Sequence, residues 1–149
     1  MNPRDQAPPT PQQQALVLWV IWFSILSGIV IIQMFAGGGW PSGDDKSSFT
    51  DPIFLAAFGS FLTSVAVRLF VLPKQSAPEK QLPVAIIGMA LAEGAMILGT
   101  FVLPKDAVSA KQSLIVLAFL GVASYAPFYV GKKPGNRHGF SGGDDGYQR

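Results

Sequence analysis

Two ionisable side chains stand inside long apolar stretches of this sequence. Glu93 lies near the middle of LPVAIIGMALAEGAMILGTFVLP, and Arg68 near the end of PIFLAAFGSFLTSVAVRLFVLPK. A carboxylate surrounded by apolar residues on both sides is costly, so it either does chemistry or is held by a named partner. The chemistry open to it is binding a proton or a small cation. Unpaired, Glu93 is expected to be protonated and hydrogen-bonded; paired with Arg68, it is expected to be ionised. The hydroxyls that could serve it are those of Ser60, Thr63, Ser64, Thr100 and Tyr125, with Ser64 and Thr100 the leading polar candidates beside Glu93 and Arg68. The rest of the chain offers no reacting set. It has no cysteine, its single histidine, His138, stands alone, and no nucleophile, phosphate-cradling glycine loop or set of ligands for zinc or haem is legible. A non-enzymatic protein follows, with no catalytic residue, metal site or cofactor expected.

The elements that position Glu93 are long. Of the 149 residues, 49% are hydrophobic and 13% charged, an unusual balance for a soluble domain. Apolar runs cover 15–36, 53–72, 82–103 and 113–130, and only Arg68 and Glu93 are charged within them. About 20 such residues span a hydrocarbon core of about 30 Å, so the runs read as four transmembrane helices. None alternates apolar and polar residues, which excludes a β-barrel. The predicted fold is an all-α integral membrane bundle of four antiparallel helices.

Basic residues set the expected orientation. One side collects Arg4, Arg68, Lys74, Lys80, Lys132, Lys133, Arg137 and Arg149, and the other only Lys46, Lys105 and Lys111. That bias predicts a multi-pass protein of the cell inner (plasma) membrane with both termini cytoplasmic. Residues 1–14, rich in Pro and Gln, and the Gly-rich 131–149 are expected to be disordered cytoplasmic segments. Trp19, Trp22 and Trp40 are expected interface anchors. A net charge of +2 without an aromatic-interleaved basic patch excludes nucleic acid as a partner. The expected partners are the lipid bilayer and a second copy or a larger membrane complex.

Small residues mark close-packing faces. Gly88, Ala92, Ala95 and Gly99 share one face of the third helix, and Ser27 and Gly28 one face of the first. Ala57, Ser60, Ser64 and Arg68 make a polar stripe on the second. Asp51-Pro52 reads as a cap with Pro at the first helical position, whereas Asp44 and Asp45 read as solvated loop. Pro127 is placed in the last turn of the fourth helix, freeing the carbonyl of Ala123. Two echoes stand out. Phe70-Val71-Leu72-Pro73-Lys74 recurs as Phe101-Val102-Leu103-Pro104-Lys105, and Leu26-Ser27-Gly28 with Ile31 and Phe35 aligns at an offset of 66 with Ala92-Glu93-Gly94, Ile97 and Phe101. The second echo suggests two hairpins of one ancestry.

Ala92-Glu93-Gly94-Ala95-Met96-Ile97-Leu98-Gly99 resembles the ion-carrying helix of rotary ATPase c subunits, where a small residue precedes the Glu and Ile and Gly follow at four and six positions. That resemblance implies a proton- or sodium-binding Glu93 and a ring-packing small face. The layout is also similar to small uncharacterised four-helix bacterial membrane proteins with an Ala-Glu motif in the third helix. Two functions are expected on these grounds. The first is a structural or accessory membrane protein with Glu93 as a polar tie between helices, and the alternative is an ion-binding protein of proteolipid type.

Overall fold

The structure, a computed structural model, describes residues 10–75 and 78–127. The predicted disordered ends beyond these limits, with His138 and with Arg4, Lys132, Lys133, Arg137 and Arg149 of the orientation argument, lie outside the described residues. Four helices carry the fold, and no strand occurs among the described residues.

Helix α1 spans Pro11–Ile31 and continues through a π-helical turn, Ile32–Ala36. Its start precedes the predicted residue 15 because Thr10 and Gln13 form a reciprocal capping box and Pro11 is pre-set for a first helical position. Helix α2 spans Pro52–Ala66, followed by a π turn, Val67–Val71, and a 3₁₀ turn, Leu72–Lys74. Asp51 accepts from the backbone N–H of Ile53 at 2.7 Å, the cap that its Asp-Pro sequence predicts. Helix α3 spans Pro78–Phe101 and tolerates Pro83 in its second turn. Helix α4 spans Val108–Ser124.

Stretches Gln12–Ala36, Pro52–Lys74 and Lys80–Phe101 are long and apolar enough to cross a membrane. The fourth helix differs from its prediction. At 17 residues it is shorter, and it begins ahead of residue 113 because its first turns carry Ser109 and Lys111, which depress local hydropathy without impeding a helix. It ends at Ser124, so Pro127 lies beyond it, and the Ala123 carbonyl accepts from Ala126 N–H at 3.1 Å instead of being freed. The residue before a proline disfavours helical backbone, and here the chain leaves the helix at Tyr125, whose ring turns inward.

Helix α3 is the centre of the bundle and packs against the other three. One cluster joins Leu18 and Ile29 of α1 to Met89 and Met96 of α3 and to Ile115, Val122 and Tyr125 at α4. A second joins Phe54 and Ala57 of α2 to Ala95 of α3 and Ala110 and Leu114 of α4. The repeated FVLPK pentapeptides behave alike. Leu72 and Leu103 are buried, and Phe70 and Phe101 point outward. The outward faces are rich in large apolar side chains, among them Phe23, Leu62, Phe70, Ile87 and Leu120.

Candidate functional site

Glu93 projects from α3 towards α1. A Cβ placed on Gly28 would sit 3.9 Å from its Oε1, so the two halves of the 66-residue echo meet at this carboxylate. Glu93 is half-buried. Met89 and Met96, one turn away on either side, are buried in the core, while Ala90 and Ile97 face outward. No ion pair or hydrogen bond to Glu93 is found among the described residues.

The ion pair with Arg68 is not formed. Arg68 donates from Nε to the Ser124 carbonyl at 2.9 Å, and its guanidinium carbon stands 5.9 Å from the centre of the Tyr125 ring. A cation at the carbonyl end of a helix meets the negative pole of its dipole, which is where a guanidinium gains most. Register explains the separation from Glu93. Ser60 of α2 reaches the Leu91 carbonyl at 2.8 Å and Ser64 reaches that of Gly88 at 2.6 Å, so residue numbers fall along α3 as they rise along α2. Arg68 therefore stands near the level of residue 84, roughly 13 Å of helix from Glu93.

Ser64 is fully buried and serves a different centre. Its backbone carbonyl accepts from the Tyr125 hydroxyl at 2.6 Å, and its own hydroxyl binds Gly88. Gly88 is glycine for a steric reason, since a Cβ there would overlap the Tyr125 phenol. Further along the face, a Cβ on Gly99 would stand 2.8 Å from Leu114 Cδ1, and Ala92 Cβ lies 3.0 Å from where a Gly121 Cβ would be. The Gly88, Ala92, Gly99 face is therefore filled by α4, with Ala95 buried between α2 and α4. Within the chain, this small-residue face is thus occupied by Tyr125 and by Leu114 and Gly121 of α4. Ser27 lies half-buried beside Gly28 on α1.

Thr100 belongs to a third polar group, seven residues beyond Glu93. It donates to Gln33 Oε1 at 2.8 Å, and Gln33 Nε2 donates to the Gly39 carbonyl at 2.5 Å. Gln33, 5% exposed, is carried by the π turn that ends α1. Lys111 of α4, 9% exposed, reaches the Thr100 carbonyl at 3.4 Å. Gly37 lets the loop close over this group, because a Cβ there would meet Thr100 Cγ2 at 2.8 Å and the Gln33 carbonyl at 2.9 Å. Sequence reasoning overlooked Gln33 and assigned Lys111 to a loop. The signal for Gln33 was present, since a primary amide inside an apolar run needs partners for the same reason that a carboxylate does.

Asp44 and Asp45 are exposed, and Asp45 has in addition a structural role that its loop sequence does not reveal. It accepts from the Ser109 backbone N–H at 3.2 Å and from the hydroxyls of Ser109 and Ser47, while Ser47 Oγ accepts from Ala110 N–H at 3.0 Å. Helix α4 has no side-chain cap of its own at Ala107, and the long loop supplies one. The Ser109 hydroxyl, then that of Ser47, holds the Asp45 carboxyl well below the usual carboxylate range. A depressed folded-state value adds stability that is complete above the ordinary value of about 4 and drains away as pH falls below it. The stability gap between wild type and Asp45→Asn, read by thermal unfolding, is therefore expected to be widest at neutral pH and to close progressively below about pH 4. Because Asp45 is exposed, added salt is expected to narrow the gap as well.

Tryptophan placement is mixed. Trp22 donates from its indole to the Val122 carbonyl at 2.9 Å and meets Trp19 edge to face at 5.3 Å, tying α1 to α4. Trp40 is exposed at the opposite end of the bundle. Among the described residues no cluster of three or more His, Cys, Asp or Glu could hold a metal ion. Compared with known proteins, the chain matches no family model, no curated protein and no solved structure.

Proposed function

We propose that this chain is a non-enzymatic multi-pass protein of the inner membrane, an antiparallel four-helix bundle with both termini cytoplasmic, in which Glu93 binds a proton or small cation at the seam of α1 and α3. One observation carries the proposal. Glu93 stands beside Gly28 with no hydrogen bond or ion pair among the described residues, whereas Ser60, Ser64, Thr100, Gln33 and Arg68 all have partners. Those residues already tie the helices, so Glu93 is not needed as the tie. In hydrocarbon an unpaired carboxylate is satisfied by taking up a proton or a cation. The membrane setting draws support from three sufficiently long apolar helices and from apolar side chains on the outward faces. The antiparallel arrangement draws support from the opposed numbering of the α2 to α3 hydrogen bonds.

A second reading has its own observation. Glu93 adjoins outward-facing Ala90 and Ile97, so a helix of a larger membrane complex would find the carboxylate at its contact surface. Glu93 would then be the tie of an accessory subunit, made between chains. Two variants separate the readings. If Glu93 binds a proton, Glu93→Gln and Glu93→Leu both fold, and both abolish labelling of the reconstituted protein by a hydrophobic carbodiimide, which adds to protonated carboxyls. If Glu93 is an interchain tie, Glu93→Gln retains assembly, Glu93→Leu loses it, and wild type resists the reagent.

A further inference from the structure

The group around Lys111 borders a cavity of about 420 Å³ at the end of the bundle away from Arg68. Its charged lining consists of Lys105 and Lys111, and no carboxylate lines it. Lys111 is nine-tenths buried and spends one donor on the Thr100 carbonyl at 3.4 Å, leaving the remaining ammonium hydrogens free to serve a guest. Gln33 Oε1 is taken by Thr100. Asp106 is the carboxylate near enough to attract Lys111, but it is not among the residues that line the cavity and it also approaches Lys46 at 4.0 Å. A buried ammonium facing a cavity whose lining holds a second lysine and no carboxylate is a place for an anion.

A second, apolar cavity of about 240 Å³ adjoins the first and shares Gln33 and Trp40 with it. It runs between α1 and α4 past Ile29, Val30, Ile115 and Phe119 to Leu120. From Lys111 to Leu120 is roughly 13 Å along α4, so a cationic mouth lies next to an apolar groove that follows the bundle lengthwise. Neither half alone selects a guest. Together they are complementary to an amphiphile with an anionic head.

We propose that this site holds one anionic phospholipid, its phosphate against Lys111 and Lys105 and one acyl chain in the groove between α1 and α4. The proposal rests on the membrane setting proposed above but not on Glu93. Trp40, shared by both cavities, is the reporter. The full chain is reconstituted in phosphatidylcholine vesicles doped with a minor fraction of dibrominated phosphatidylglycerol or, in parallel, of dibrominated phosphatidylcholine. The Trp40 signal is taken as the difference from Trp40→Phe. The expected result is stronger quenching by the anionic lipid, with Lys111→Gln lowering its enrichment about five-fold and Lys111→Arg retaining it. Should Lys111→Gln fail to fold, Lys105→Gln is expected to act in the same direction. Equal quenching by the two lipids overturns the site while leaving the membrane setting intact. Absence of quenching by either overturns both together. Loss of the preference on adding inorganic phosphate overturns the lipid as occupant in favour of a soluble anion.

Discussion

Gly88→Ala is expected to be among the most damaging single-atom additions this bundle can receive, costing about 3 kcal/mol of stability. The new methyl would occupy space taken by the phenol of Tyr125, which is fully buried. Tyr125 has no easy retreat. Its hydroxyl is bound to the Ser64 carbonyl at 2.6 Å, and Arg68 stands over its ring. Moving the ring would break a buried hydrogen bond and disturb the Ser64 to Gly88 contact at 2.6 Å on the same level of the bundle. A double-mutant cycle locates the cause. Tyr125→Leu alone is expected to destabilise by about 3 kcal/mol, since a large buried side chain is lost. Combined with Gly88→Ala it is expected to cost at least about 1 kcal/mol less than the sum, because the added methyl then fills vacated space. Additive effects in detergent unfolding titrations would mean that Gly88 and Tyr125 do not share this space.

Gln33→Leu is the second large effect, expected at about 2 kcal/mol despite the gain in hydrophobicity. Leucine nearly matches the volume, so the loss is one of hydrogen bonds. The Gly39 carbonyl would lose its side-chain partner and the Thr100 hydroxyl would be left with the weak acceptor Met96 Sδ at 3.4 Å, so the loop that follows Ala36 would be loosened, held to the end of α1 by the backbone bonds of Gly37 and Gly39. Thr100→Val removes the hydroxyl left with only this weak acceptor. The double variant Gln33→Leu with Thr100→Val is therefore expected to recover part of the loss. The same loop carries Asp45 and Ser47 to the start of α4, so Gln33→Leu is also expected to increase hydrogen exchange at the first amides of α4.

Local signals were the readable ones. Asp51-Pro52 caps α2 because the cap needs only neighbouring residues, and the stripe of Ala57, Ser60 and Ser64 faces α3 because a period of three and four fixes a helix face whatever lies opposite. The small-residue face of α3 was equally visible as a face. Its occupant was not, because nothing near Gly88 or Gly99 in the chain names Tyr125 or Leu114 as the groups that fill the space. The Asp45 cap spans 64 residues and crosses from a loop to a helix, so no spacing rule reveals it. Gln33 was hidden by averaging. One neutral amide scarcely lowers the hydropathy of a stretch as apolar as Gln12–Ala36, although its buried donors and acceptor make strong demands. Helix α4 was misplaced for the related reason that Ser109 and Lys111 look like loop residues by hydropathy, while their backbone is helical and their side chains are held from Asp45 and Thr100.

Arg68 and Glu93 show the limit of pairing charges by sign. They are the two charges within the predicted spans, yet register sets them on different levels, and each finds a different environment. Arg68 caps the carbonyl end of α4, and Glu93 faces Gly28 of α1. The separation leaves the carboxyl without a cation of its own chain among the described residues.

The protonation state of Glu93 in purified protein in lipid is therefore the decisive measurement, made by infrared difference spectroscopy of the carboxyl band across pH with Glu93→Gln as control. The proposed proton site predicts a protonated carboxyl band at neutral pH that is absent from Glu93→Gln, responds to pH or to sodium, and is unchanged in Arg68→Ala. A carboxylate that stays ionised at every accessible pH, and whose band shifts in Arg68→Ala, would contradict it.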